Sequence, residues 1–138
     1  MKLFPIIICI ILINCCHLYS QVSDTLKYKS LVPNDFHLQY LEDDSALLID
    51  VREYFEYRKS RIKGALFLPS SQGYDIIADT LDKGRSLYIY CYSGTRAKKA
   101  AVYFYNQGFK KLYNLDGGIT AWKKDGFPVE RKKVKRSK

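Results

Sequence analysis

Five short apolar runs punctuate the chain: Tyr28–Val32, Ala46–Val51, Ala65–Leu68, Leu87–Tyr90 and Lys111–Leu115. The second and fourth are continuously apolar rather than alternating, the pattern of strands covered on both faces. The segments between them read as helices. Pro33-Asn34-Asp35 opens one that runs to about Glu42, with Phe36, Tyr40 and Leu41 on one face. Glu53 to Ser60 is a second, and Gln72 to Leu81 a third, with Gly84 beyond its end. Arg96 to Gln107 is the clearest: Ala97, Ala100, Ala101 and Phe104 form a narrow apolar stripe, and Gly108 is a suitable stop. Gly118 to Lys124 makes a short last helix, closed by Gly126 and Pro128. Strand and helix alternate throughout, which predicts an α/β fold with a mainly parallel sheet. In such sheets the ligand site lies beyond the carboxyl ends of the strands.

The two ends depart from this pattern. Met1 and Lys2 precede an apolar run from Leu3 to Ile13, interrupted by Pro5. The run is shorter than the roughly 20 residues a membrane-spanning helix needs. A basic start, a short apolar stretch and then a more polar one is the layout of a secretory signal. Residues 1–20 are therefore expected to be a signal peptide cut after Ser20, and the protein to be exported, periplasmic or secreted. A lipoprotein anchored through Cys15 or Cys16 is the alternative, and contact with a membrane is expected only in that lipidated form. At the other end, residues 131–138 hold six cations and read as a disordered basic tail. The formal net charge is +9, but residues 21–130 hold 16 Lys and Arg against all 14 Asp and Glu. The 21–130 segment is thus close to neutral, and the overall basicity gives no reason to expect nucleic-acid binding.

Signal removal also changes the meaning of the four cysteines. Cys9, Cys15 and Cys16 lie in the leader, so a soluble mature chain keeps only Cys91. A lone thiol in an oxidising compartment is a liability unless shielded or used. Cys91 is also the first residue past the fourth predicted strand, where the sheet rule places a site. Residues 91–96 must turn the chain from strand to helix in one tight loop, and Gly94 supplies the dihedral freedom. Backbone N–H groups in such a loop can form an anion-binding nest. The helix N-terminus adds positive potential, and Arg96 a full charge. Together these favour thiolate over thiol, and would steady an anionic group carried on the sulfur. No metal site is expected, because the two histidines, His17 and His37, lie in the leader and on the first helix.

Four ordered motifs resemble those of rhodanese-like domains. Residues 46–53, Ala-Leu-Leu-Ile-Asp-Val-Arg-Glu, look like the first signature. Arg61-Ile62-Lys63-Gly64-Ala65 followed by Pro69 looks like the second, except that Arg61 stands where the family commonly has His. Cys91-Tyr92-Ser93-Gly94-Thr95-Arg96-Ala97 resembles the active-site loop. Residues 115–122, with Gly117-Gly118 and Trp122, and Gly126-Phe127-Pro128-Val129 resemble the closing elements. The match covers about residues 27–129.

The resemblance implies a three-layer fold at residues 21–130, with a mainly parallel five-stranded sheet and helices on both faces. It also implies a single-domain, monomeric sulfurtransferase of the thiosulfate type. Cys91 would attack the outer sulfur of thiosulfate or a similar small sulfur-containing anion, sulfite would leave, and a persulfide would remain. Cyanide, a thiol or a protein thiol would then accept the sulfur, giving ping-pong kinetics without a cofactor. Tyr92, Ser93, Gly94, Thr95 and Arg96 would form the substrate cradle. A sulfur carrier serving one specific partner is an alternative. A phosphatase or arsenate reductase is a weaker one, because those use a loop one residue longer than the Cys91-to-Arg96 spacing.

The remaining prominent residues have structural readings. Asp50 and Arg52 are expected as ion-pair or hydrogen-bond support near the site, and Trp122 as a core anchor. Tyr54, Phe55 and Tyr57 are expected to cover the core, with a place in the pocket wall as the alternative for one of them, and Lys98 and Lys99 to lie on a solvated helix face, with attraction of an anionic donor as the alternative.

Overall fold

A computed structural model describes residues 27–69 and 71–131; the side chains of residues 71 and 72 are not among those described. The predicted leader, the Cys15 and Cys16 lipidation positions, and the tail beyond Arg131 lie outside these residues. Ten elements alternate: β1 (Lys29–Leu31), α1 (Pro33–Glu42), β2 (Leu47–Asp50), α2 (Tyr54–Lys59), β3 (Leu66–Phe67), α3 (Ser71–Thr80), β4 (Ser86–Tyr90), α4 (Thr95–Asn106), β5 (Lys111–Leu115) and α5 (Gly118–Lys124). The five strands form one sheet in the order β1-β5-β4-β2-β3, and every pairing in it is parallel. The expected α/β class, strand number and helix positions are all present.

The central strand β4 is buried along its whole length. Its side chains alternate between two cores, as the pleat requires. Leu87, Ile89 and the following Cys91 join Ile49, Val51, Ala97, Ala100, Ala101 and Phe104 on the face covered by α3 and α4. Tyr88 and Tyr90 join Phe36, Leu48, Leu115, Ile119 and Trp122 on the face covered by α1 and α5. The alanine stripe of α4 lets that helix lie close to the sheet. Both faces are covered, so β2 and β4 carry no polar-out positions.

Helix α2 departs from the expectation that its aromatic residues cover the core. None of its residues is buried, and Tyr54 and Phe55 are 55% and 72% exposed. Tyr57 packs further inward, its ring 4.9 Å from Phe67 and its hydroxyl donating to the Ala65 carbonyl at 3.2 Å, while the exposed Tyr54 ring touches the same Phe67 at 5.7 Å. A six-residue helix beyond the end of β2 lies at the sheet rim rather than across its face. Its start is held by a reciprocal capping box between Glu53 and Glu56, in place of core packing.

The chain closes through Trp122 and Arg61. The Trp122 ring is buried, 4.7 Å from Phe127 and 5.2 Å from His37, and its Nε1–H donates to the Pro128 carbonyl at 2.9 Å. It is the core anchor the sequence implied. Arg61 exchanges two backbone hydrogen bonds with Glu130, at 2.9 and 2.7 Å, while its guanidinium lies 4.8 Å from the centre of the Tyr57 ring. Arg61 thus fastens the segment around Glu130 to the turn at residues 60–62.

Trp122→Ala should cost about 3–5 kcal/mol of folding stability, the usual range for emptying a large aromatic core site. Urea denaturation of the two proteins measures it; a loss below about 1 kcal/mol would mean that the second core does not depend on this ring.

Candidate functional site

The site is built where β4 ends. Cys91 is 1% exposed, and its Sγ accepts a hydrogen bond from the Gly94 N–H at 3.1 Å. Gly94 is the N-cap of α4 and sits at φ +99°, in the left-handed region where a side chain is strained. The loop therefore turns back on the sulfur and leads straight into a twelve-residue helix, whose N-terminal partial charge lies beside it.

A second helix fixes the first half of the loop. The Ile119 N–H donates to the Cys91 carbonyl at 2.9 Å. The Tyr92 carbonyl accepts from the Thr120 N–H at 3.2 Å and the Thr120 hydroxyl at 2.9 Å. A trans peptide carries its C=O and N–H on opposite sides. With both carbonyls turned toward α5, the N–H groups of Tyr92 and Ser93 face the other way, toward the side where the Cys91 side chain packs. Gly118 makes this approach feasible: at φ +61°, an added Cβ would lie 2.6 Å from the Cys91 carbonyl oxygen and overlap the Tyr92 carbonyl. The sequence marks Gly117-Gly118 as a helix start, but the role of Gly118 as the clamp on the loop depends on its contacts with Cys91 and Tyr92, far back along the chain.

The other cradle residues are placed as follows. Tyr92 is 57% exposed at the rim. Ser93 and Thr95 are exposed, their hydroxyl oxygens 3.5 Å apart. Lys98 and Lys99 lie on the solvated face of the first turn of α4. Arg96 makes a bidentate pair with Glu56, Nη1 to Oε2 at 2.9 Å and Nη2 to Oε1 at 3.1 Å. Its guanidinium is thereby held at the rim, joining α4 to α2. The Glu56 bond, with the nearby Cys91 adding to it, raises the Arg96 pKa above its ordinary value. For Glu56, burial works against the carboxylate, but Arg96 and the Glu53 N–H outweigh it and hold its pKa below the usual range. Glu56 escaped the sequence reading. The Glu53-x-x-Glu56 spacing signals a capping box, and nothing in it points 40 residues ahead to Arg96.

Asp50 and Arg52 form the structural pair expected of them. Arg52 Nη2 and Nε donate to the Asp50 carboxylate at 2.6–3.1 Å, and Nη2 also donates to the Ser60 carbonyl at 2.7 Å. Both side chains are buried. The Ile62 N–H donates to the Tyr90 hydroxyl at 3.1 Å, and burial together with the Asp50 carboxylate pushes the Tyr90 phenol pKa far up. This network braces the 60–62 turn behind the site. Among the described residues no group of three or more His, Cys, Asp or Glu is arranged to hold a metal ion.

A cysteine at a strand end, within a six-residue loop that caps the next helix, coincides with a match to the rhodanese-like domain model over residues 34–125. The chain belongs to the rhodanese-like family. The tRNA uridine(34) hydroxylase of Hamiltonella defensa is 35% identical over 97 residues, 63% of this chain. The matched region is 27% of that protein, so this chain spans little more than a quarter of its curated relative. A rhodanese-like domain protein from Staphylococcus aureus superposes with a TM-score of 0.60 at 30% identity, covering 75% of this chain and 98% of that one. The polysulfide-sulfur transferase homodimer from Wolinella succinogenes shares the fold, with a TM-score of 0.69 at 22% identity over 90% of this chain and 93% of that one.

Two predictions test the rhodanese-like loop. Gly118→Ala should lose about 1–2 kcal/mol from the left-handed backbone alone, and more from the overlap with Tyr92. It should also slow alkylation of Cys91 at neutral pH, and unchanged alkylation would mean that the loop does not depend on this approach.

The Glu56–Arg96 pair should be pH-sensitive. A carboxylate whose folded pKa is depressed contributes stability above its unfolded pKa, about 4.3, and that contribution is lost as pH falls through the lower folded value. Thermal melts across the acid range should show a steeper loss in wild type than in Glu56→Gln; parallel curves would count against the pair as a stabilising element.

Proposed function

We propose that this rhodanese-like protein is a sulfurtransferase that moves a sulfane sulfur through a persulfide on Cys91. The observation that carries the reading is the Cys91 sulfur held by the Gly94 N–H at the N-terminus of α4. Oriented N–H groups and a helix N-terminus favour negative charge on sulfur, and the thiolate is the nucleophile.

In the first half-reaction the Cys91 thiolate attacks the outer sulfur of thiosulfate. The new S–S bond forms as the bond to the sulfonate sulfur breaks, and sulfite departs with that electron pair. The product is Cys91–S–S⁻, whose charge stays within the same N–H cradle. In the second half-reaction cyanide or a thiolate attacks the terminal sulfur, and the Cys91 thiolate leaves. Each step is a two-electron displacement at sulfur, so neither a metal nor a redox cofactor is required. Arg96 and the helix N-terminus attract the anionic donor, and the loop N–H groups hold it.

The six-residue loop supports sulfur transfer over phosphoryl chemistry. A phosphoryl transition state presents three equatorial oxygens, and the loops that hold it are one residue longer. Lys98 and Lys99, exposed beside the loop, would add attraction for an anion of either kind and do not discriminate. The layout of residues 1–20 supports an exported enzyme, which would start near Gln21.

Intact mass spectrometry tests these assignments. Protein recovered after export should lack residues 1–20, and brief exposure to thiosulfate should add one sulfur, ~32 Da, that cyanide removes. Cys91→Ser should show no adduct; an adduct persisting in that variant would refute the assignment.

Hydrolysis of an aryl phosphate should stay at background in wild type and in Cys91→Ser alike. Cysteine-dependent hydrolysis faster than sulfur transfer would support the phosphatase instead.

A further inference from the structure

The rim of the Cys91 loop carries large apolar rings that the fold leaves uncovered. Tyr92, the residue after Cys91, is exposed, and so are Tyr54 and Phe55 on α2. The Glu56–Arg96 pair is what brings α2 to the loop. Arg96 stands two residues past Gly94, whose N–H is 3.1 Å from the sulfur, and its guanidinium meets the Glu56 carboxylate at 2.9 and 3.1 Å. Phe55 is the chain neighbour of Glu56, so the ion pair holds its backbone at the rim. The Tyr54 ring rests on Phe67 at 5.7 Å, with the Arg58 guanidinium 5.4 Å from its centre. Phe55 is 72% exposed, and its ring has no aromatic or cationic partner among the described residues. One exposed ring is ordinary, but several beside a buried sulfur mark an interaction surface.

The free charges beside these rings are of one sign. Glu53 and Glu56, the acidic residues of α2 and its cap, are engaged: Glu53 accepts from the Glu56 N–H, and Arg96 holds the Glu56 carboxylate. Arg58 and Lys59 on α2 and Lys98 and Lys99 on α4 are exposed and form no ion pair among the described residues. Lys59 lies three residues past Glu56 and Lys99 three past Arg96, each on the same side of its helix as that partner. Apolar rings near the sulfur with cations beyond them complement a segment that is apolar at its centre and acidic outside. Cyanide is too small to cover any of these rings.

We propose that this rim is the docking surface for a protein acceptor, which presents a cysteine on an exposed segment with apolar residues beside it and acidic residues flanking those. This docking role rests on the sulfurtransferase reading and names the class of acceptor. The acceptor's cysteine thiolate attacks the outer sulfur of the Cys91 persulfide. A new S–S bond forms as the bond to Cys91 Sγ breaks, the Cys91 thiolate leaves with that electron pair, and the acceptor departs as a persulfide. Docking removes the exposed rings from water and holds the attacking sulfur at the loop.

Discharge of preloaded full-length protein by cyanide and by short cysteine peptides tests this. In wild type, Glu-Leu-Cys-Leu-Glu should react about fivefold or more faster than Glu-Ser-Cys-Ser-Glu at equal thiolate concentration, the scale of covering one aromatic ring at an interface. Lys-Leu-Cys-Leu-Lys should be slower than the glutamate peptide. Phe55→Ser should remove the leucine preference while discharge by cyanide and loading by thiosulfate match wild type, and Phe55→Trp should keep the preference. Equal rates for the leucine and serine peptides in wild type, or a preference that survives Phe55→Ser, would overturn the proposal. A parallel loss with cyanide would do the same, as would a lysine peptide as fast as the glutamate one. Sedimentation of wild type as a dimer that Phe55→Ser dissociates would assign the face to a second copy of the chain instead. If wild type forms no persulfide from thiosulfate, the sulfurtransferase reading fails first, and that result is distinct from all of these.

Discussion

The approach of α5 to the Cys91 loop is the constraint on which the site depends. Two backbone carbonyls, those of Cys91 and Tyr92, are held by the first N–H groups of that helix and by the Thr120 hydroxyl. Helix N-termini have unsatisfied donors, and a strand-to-helix loop has unsatisfied acceptors; each supplies what the other lacks. Once the carbonyls are committed to α5, the loop N–H groups have only the sulfur side left to face. The contact is backbone to backbone and tolerates no Cβ at Gly118. It also ties the two cores together, because α5 covers the face opposite to the one on which the Cys91 side chain packs.

The charges around the loop are arranged in balanced pairs rather than as a simple cationic pocket. Arg96 brings a positive charge close to the sulfur, but Glu56 holds both of its outer nitrogens. The pair therefore fixes the geometry of the rim while moderating the field at the sulfur. Deeper in, Asp50 and Arg52 neutralise each other, and the remaining capacity of Arg52 goes to the Ser60 carbonyl. A buried pair is costly to desolvate and more costly still to break. Its evident role is to hold the turn behind the site in one arrangement. Positive potential at the sulfur then comes chiefly from oriented N–H groups, which cannot move away or be screened as a free side chain can.

Substrate access follows from the same architecture. A nearly inaccessible sulfur at the bottom of a short loop meets a small anion more readily than a bulky one. On the α2 side the rim carries Glu56 and exposed aromatic rings. A site assembled at the ends of β2 and β4 sets one sulfur among groups that come from several separate segments.

The order of elements, the α/β class and the position of Cys91 were legible in the sequence, because each is a local property. Buried strands read as unbroken apolar runs, the α4 stripe repeats with the helical period, and Gly94 marks a turn that a side chain resists. The family motifs added the identity of the loop. Local pattern misjudged Tyr54 and Phe55, because it records hydrophobicity without the direction a short helix takes at the sheet rim. It was silent on Glu56 as the partner of Arg96 and on Gly118 as the clamp. Both depend on pairs of segments brought together only when the parallel crossovers close. Sequence by itself determined where the chain turns from strand to helix and that Cys91 stands at that turn. The tertiary structure decided which groups surround the sulfur, because such contacts join distant segments that carry no shared periodicity.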